Sequence, residues 1–94
     1  MEYLAKYNLS KEDINDIKNS IDDMDFIEYE LHERNMCKIL DYLKSKQFDI
    51  KPLLLYKSFM FYTDAEILID KLKNIPEENI PIINADIDLI EDYL

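Results

Sequence analysis

The stretch SKEDINDIKNSIDDM, Ser10 to Met24, is written in a helical period. Ile14, Ile17, Ile21 and Met24 recur at three- and four-residue steps, which places them on one face of an α-helix. Ser10 ahead of Lys11-Glu12-Asp13 has the form of an N-cap followed by acidic residues in the first turn, where exposed amides and the helix dipole favour negative charge. Phe26, Ile27 and Tyr29 are expected to pack at the end of this helix.

The same period continues in both directions. A second helix is predicted from near His32 to Lys46, with Met36, Ile39, Leu40 and Leu43 on one side and Phe48 closing it. A shorter one starts at Asp49, tolerates Pro52 in its first turn and runs through Leu53, Leu54 and Leu55. Thr63-Asp64-Ala65-Glu66 reads as a capping box opening a helix with Ile67, Leu68, Leu72 and Ile75. Pro76-Glu77-Glu78-Asn79 breaks and restarts the chain, and Ile80, Ile83, Ile87 and Ile90 predict one or two final helical stretches. Tyr3, Leu4 and Tyr7 supply one further turn at the start.

The chain contains no glycine, the residue that most often ends helices and fills hairpin turns. A sheet with tight turns is therefore not expected, and helix ends must use polar loops or asparagines, of which Asn8, Asn19, Asn74, Asn79 and Asn84 are available. The fold class predicted is all-α: a compact array of five to six short helices, one domain over residues 1–94. A helix-loop-helix repeat is also expected, because the pair Ile14/Ile17 recurs as Ile50/Leu53 and Ile80/Ile83, which is solenoid-like spacing.

Twenty-one acidic residues face eleven basic ones, a formal charge of −10, and no Lys or Arg follows Lys73. Nucleic-acid affinity rests on cations neutralising phosphates, so direct DNA or RNA binding is not expected, nor is attraction to anionic membranes. A protein partner, with a basic surface if the charge is functional, fits better. Cys37 is the sole cysteine, so no intramolecular disulfide forms. Met1-Glu2-Tyr3-Leu4 carries no signal-peptide pattern and no apolar run approaches bilayer length, so a cytoplasmic location is expected by default.

No catalytic, cofactor or metal site is expected. His32 and Cys37, five residues apart on a helix, point about 140° from each other and lack an orienting third group. Asp22-Asp23-x-Asp25 and Asp86-x-Asp88-x-x-Glu91 lack the glycine and ligand rhythm of a calcium loop and read as solvated faces. Phosphate-binding loops need glycines the chain does not have. The aromatic run Tyr56, Phe59, Phe61 and Tyr62 fills the core between neighbouring helices or forms an interface patch.

The order Leu9-Ser10-Lys11-Glu12-Asp13-Ile14, a long helix ending Ile39-Leu40-Asp41-Tyr42-Leu43-Lys44, then Phe48-Asp49-Ile50, resembles a repeat of the mitochondrial transcription termination factor family. The resemblance implies short helices alternating with longer ones in a curved solenoid from Leu9 to Ile90, with nucleic acid held on a basic concave face. Asp25 and Ser58 stand where the family has a proline, and the basic face is missing, so the shape is expected to carry over and the nucleic-acid binding is not.

The function expected is a non-catalytic protein-interaction or scaffold module. Its partner-binding residues would be Tyr56, Phe59, Phe61, Tyr62, Glu77, Glu78, Asp86 and Asp88. The alternative is a small acidic inhibitor that mimics nucleic acid, of the anti-restriction or anti-CRISPR kind, occupying a basic groove on an enzyme.

Overall fold

The Ser10 hydroxyl accepts from the Asp13 amide at 3.1 Å, while the Asp13 carboxylate accepts from the Ser10 amide at 3.0 Å. This reciprocal capping box starts α1 (Lys11–Ser20), which buries Ile14 and Ile17. A computed structural model describes the whole chain, Met1–Leu94. In it, α1 stops before the isoleucine period does. Ile21 is extended, and Asp22 accepts from the Asp25 amide at 2.8 Å to cap a new helix, α2 (Asp23–Leu31). The single helix expected through Met24 is thus two, and Met24 is exposed on the second. His32 (φ −112°, ψ 41°) turns the chain directly into α3 (Glu33–Ser45), whose buried Met36, Ile39, Leu40 and Leu43 are the predicted face.

The end of α3 shows how a chain without glycine stops a helix. Gln47 takes the left-handed conformation (φ 65°); its amide donates to the Lys44 carbonyl and the Phe48 amide to that of Leu43, both near 3 Å. That is a Schellman motif with buried Phe48 as its apolar anchor, and glutamine occupies the position glycine normally takes. The only other left-handed residue is Asn8, after the 3-10 segment Glu2–Tyr7; the remaining asparagines do not serve this way. Asn84 instead clasps the loop after α3, donating to the Gln47 carbonyl at 3.0 Å and accepting from the Asp49 amide at 2.9 Å.

The chain continues through α4 (Ile50–Tyr56), a 3-10 turn at Ser58–Tyr62, α5 (Ala65–Leu72), a 3-10 turn at Glu77–Asn79, α6 (Ile80–Ala85) and a 3-10 segment at Ile87–Tyr93, with no strand. Against the five to six short helices expected, the chain forms six α-helices and four 3-10 segments between and around them, so the helical segments are more numerous than the sequence period implies. α3 is the hub, packing on α5, α2, α4 and the Glu2–Tyr7 segment, while α1 lies on α4. One cluster of 24 buried apolar residues draws on every segment except Glu77–Asn79, so the helices share one core. The radius of gyration, 12.5 Å, matches the value of about 12 Å for a compact chain of this length.

The start of α5 differs from the sequence reading. The helix begins one residue late, so Asp64 rather than Thr63 is the N-cap, accepting from the Glu66 amide at 2.9 Å. Across the core, Asn35 of α3 donates to the Thr63 carbonyl and accepts from the Ala65 amide, at 2.9 and 2.8 Å. One side chain therefore caps a helix that belongs to another part of the chain. Asn35→Ala is expected to destabilise the fold by about 1–3 kcal/mol, since it orphans the amide of buried Ala65 as well as a carbonyl. Urea unfolding of the variant checks this; an unchanged midpoint would mean that water replaces the amide without loss.

Candidate interaction surface

The aromatic run is divided by the geometry of its turn. A 3-10 helix has three residues per turn, so Phe59 and Tyr62 eclipse on one side of Ser58–Tyr62 while Phe61 faces another way. Phe61 has no exposed surface and meets Tyr29 of α2 edge-on, ring centroids 5.9 Å apart. It is a core residue, and burial removes it from the expected contact set. Tyr56, Phe59 and Tyr62 remain 70%, 48% and 44% exposed. The Tyr62 hydroxyl donates to the Asp25 carboxylate at 2.5 Å, and that bond holds its pKa up at about 12, so the ring is fixed and its hydroxyl stays a donor.

Three of the four predicted acidic residues have separate tasks. Glu77 pairs with Lys46 at the end of α3, 3.2 Å away. Asp86 caps the Ile87–Tyr93 segment by accepting from the Asp88 amide at 3.2 Å. The Asp88 carboxylate, with Glu91, receives the Lys57 ammonium at 2.6 and 2.9 Å. Lys57 is the one buried charged residue, and hydrogen bonds to Asp88 and Glu91 raise its pKa. This triad ties the C-terminal segment to the foot of the aromatic turn, where Phe59 and Glu91 line a cleft of about 300 Å³. Glu78 alone of the four stands exposed with neither a hydrogen bond nor an ion pair. The structure thus gathers Tyr56, Phe59, Tyr62 and Asp88 around α4 and its following turn, whereas Glu77 belongs to the far end of α3.

His32 is exposed and lies against Glu28 at 3.4 Å, while Cys37 is half-buried against the core. The half-exposure differs from the small buried thiol that free cysteine usually forms. Asp88 and Glu91 converge on Lys57, and no group of three or more His, Cys, Asp or Glu side chains is arranged to hold a metal ion. No helix is long and apolar enough to cross a membrane.

A second apolar surface was missed in the sequence. Met24, Ile27 and Leu31 of α2 are 72%, 53% and 73% exposed. They lie within about 60° of one another around the helix, with buried Tyr29 on the opposite side. The signal is their i, i+3, i+7 spacing, which is obscured because Met24 also continues the isoleucine period of α1.

No family model, characterised protein or solved structure matches the chain.

Proposed function

We propose that this protein is a non-catalytic interaction module that binds a protein partner through the aromatic side chains around α4. The observation that carries the reading is the outward set of Tyr56, at the end of α4, with Phe59 and Tyr62 on the turn after it, which Met60 and Phe61 anchor in the core. Rigid aromatic rings lose little conformational freedom on binding, which is why they dominate interface cores.

The helix-loop-helix repeat belongs to this reading. Ile14/Ile17, Ile50/Leu53 and Ile80/Ile83 are all buried, and each pair sits in a short helix, α1, α4 or α6. α1 lies on α4 and α3 on α5, although α5, with eight residues, is shorter than the ten-residue α1, so the pairs do not sort by length. What supports the resemblance to transcription termination factor repeats is therefore the recurrence of the buried pairs alone. The acidic mimic draws less support, because Glu77 and Asp88 are engaged with Lys46 and Lys57 and Asp86 with a helix cap.

The test is affinity capture from the native host with wild type and with a Tyr56→Ala/Phe59→Ala variant. Neither residue makes a side-chain hydrogen bond, so the fold should persist. A partner held by wild type and released on the order of 10- to 30-fold faster by the variant fits the proposal. Equal retention by both proteins would remove the aromatic face from the function.

A further inference from the structure

We propose that the outer face of α2 docks an amphipathic helix of a partner protein, one whose apolar stripe is edged by lysine and arginine. The inference rests on the interaction-module reading and adds a second surface with its own recognition chemistry.

α2 has apolar side chains on both sides. Tyr29 fixes it to the core: its hydroxyl donates to the Leu54 carbonyl at 2.7 Å, and its ring lies against Phe61. The opposite side carries Met24, Ile27 and Leu31, all more than half exposed. Nine residues make a rod about 13.5 Å long, and the three side chains form a single ridge along about two turns of it. Ridges of this spacing pack against the groove of another helix. Methionine at one end suits such a role, since its flexible thioether adapts to irregular partners.

The border of the ridge selects the occupant. Around the helix, Asp23 and Glu30 flank it on one side and Glu28 on the other, while Asp22 and Glu33 stand at its two ends. Few groups face these carboxylates: the Met1 ammonium pairs with Glu30, and the His32 ring lies 3.4 Å from Glu28. A ridge of apolar side chains inside an acidic frame complements a helix with an apolar stripe inside a basic frame. A second copy of the chain is disfavoured on the same ground. Pairing α2 with α2 would set each acidic frame against its equal, between chains each carrying −10. An anionic membrane would meet the same repulsion.

The experiment uses the full chain and a fluorescein-labelled leucine/lysine peptide of about 18 residues, five helical turns, with its leucines on one face. A scrambled peptide of identical composition is the control. By anisotropy, the amphipathic peptide should bind at least about 10-fold more tightly than the scrambled one. Met24→Ser/Leu31→Ser should lose that preference, again on the order of 10-fold. Asp23→Asn/Glu28→Gln should slow association and flatten its salt dependence while keeping the preference. Circular dichroism verifies that both variants remain folded. Equal binding of the two peptides, or no effect of the serine pair, would overturn the proposal, because the contact would then be charge alone. A wild-type dimer in sedimentation that the serine pair abolishes would overturn it in favour of self-association. A host partner captured through Tyr56 and Phe59, with no preference between the peptides, would sink this inference and leave the module reading intact.

Discussion

Replacing Tyr29 with alanine is expected to destabilise the protein by about 3–5 kcal/mol, the range for deleting a fully buried aromatic ring. Tyr29 has no exposed surface, and three separate parts of the chain meet on it. Its ring stands edge-on to Phe61, its hydroxyl donates to the Leu54 carbonyl at 2.7 Å, and its own carbonyl accepts from the Tyr3 hydroxyl at 2.7 Å. Leu54 lies in the last turn of α4, where carbonyls have no partner inside the helix, so the Tyr29 hydroxyl acts as a remote C-cap. A domain of this size is stable by only about 5–15 kcal/mol, so the alanine variant should lose roughly a fifth or more of that margin. Tyr29→Phe separates the two contributions. It keeps the ring and orphans the carbonyl, and is expected to cost about 1–3 kcal/mol. Urea midpoints of the two variants measure both. Equal losses would mean that the hydroxyl carries the effect and that the ring's cavity collapses without cost.

Most positions governed by local period are legible in the sequence, with Ile67 an exposed exception, and so is the Ser10 cap, whereas the caps at Asp22 and Asp64 are not. Ile14, Ile17, Met36, Ile39, Leu40, Leu43, Leu68 and Leu72 are buried as their spacing requires, because each helix has one side facing a common core. The break at Ile21–Asp22 is not legible in the sequence because the three- and four-residue rhythm runs straight across it. Only the Asp22 side chain, competing for the Asp25 amide, ends one helix and begins the next. That two-residue interruption, Ile21 and Asp22, turns Met24 from a core position onto the solvent side, and with it hides the ridge on α2. Thr63 and Asp64 are nearly equivalent caps, and the choice between them was made by Asn35, twenty-eight residues from Thr63 in sequence.

The aromatic set failed in one member for a related reason. Tyr56, Phe59, Phe61 and Tyr62 carry no mark that distinguishes an α-helical from a 3-10 phase. The three-residue turn turns Phe59 and Tyr62 outward together and Phe61 inward. Lys57, between them, could not be read as buried, because what allows its burial is a pair of carboxylates thirty-one and thirty-four residues later. Its aliphatic stem lies against the core and its charge is met by Asp88 and Glu91, so the acidic tail is partly structural.

Alkaline unfolding is the second large effect expected. Burial pushes the Tyr3, Tyr7 and Tyr29 hydroxyls well above the ordinary tyrosine value of 10.0. Further contributions come from the Cys37 and Asp41 groups beside Tyr7, from Cys37, Glu30 and Glu33 near Tyr3, and from Asp25 near Tyr29. Between pH 10 and the raised folded values, the unfolded chain sheds protons that the folded chain keeps, so stability falls as pH rises. Each such tyrosine contributes about 1.4 kcal/mol per pH unit, and three together about 4. Lys51 and Lys57, whose pKa values their carboxylate partners raise above 10.5, act in the same direction once their unfolded forms begin to lose charge. Below pH 10 these five groups contribute no slope. Circular dichroism followed against pH should therefore show a flat region up to about pH 10 and then a steep, cooperative loss of helix. Tyrosinate absorbance of the three buried residues should appear with that loss and not before it. Tyr3→Phe/Tyr7→Phe, which removes two of the titrating hydroxyls, should shallow the decline by about 3 kcal/mol per pH unit. If all seven tyrosines instead ionised near pH 10 while the helix signal held, the three hydroxyls would be in contact with water, and the core around Tyr29 would be looser than its packing implies.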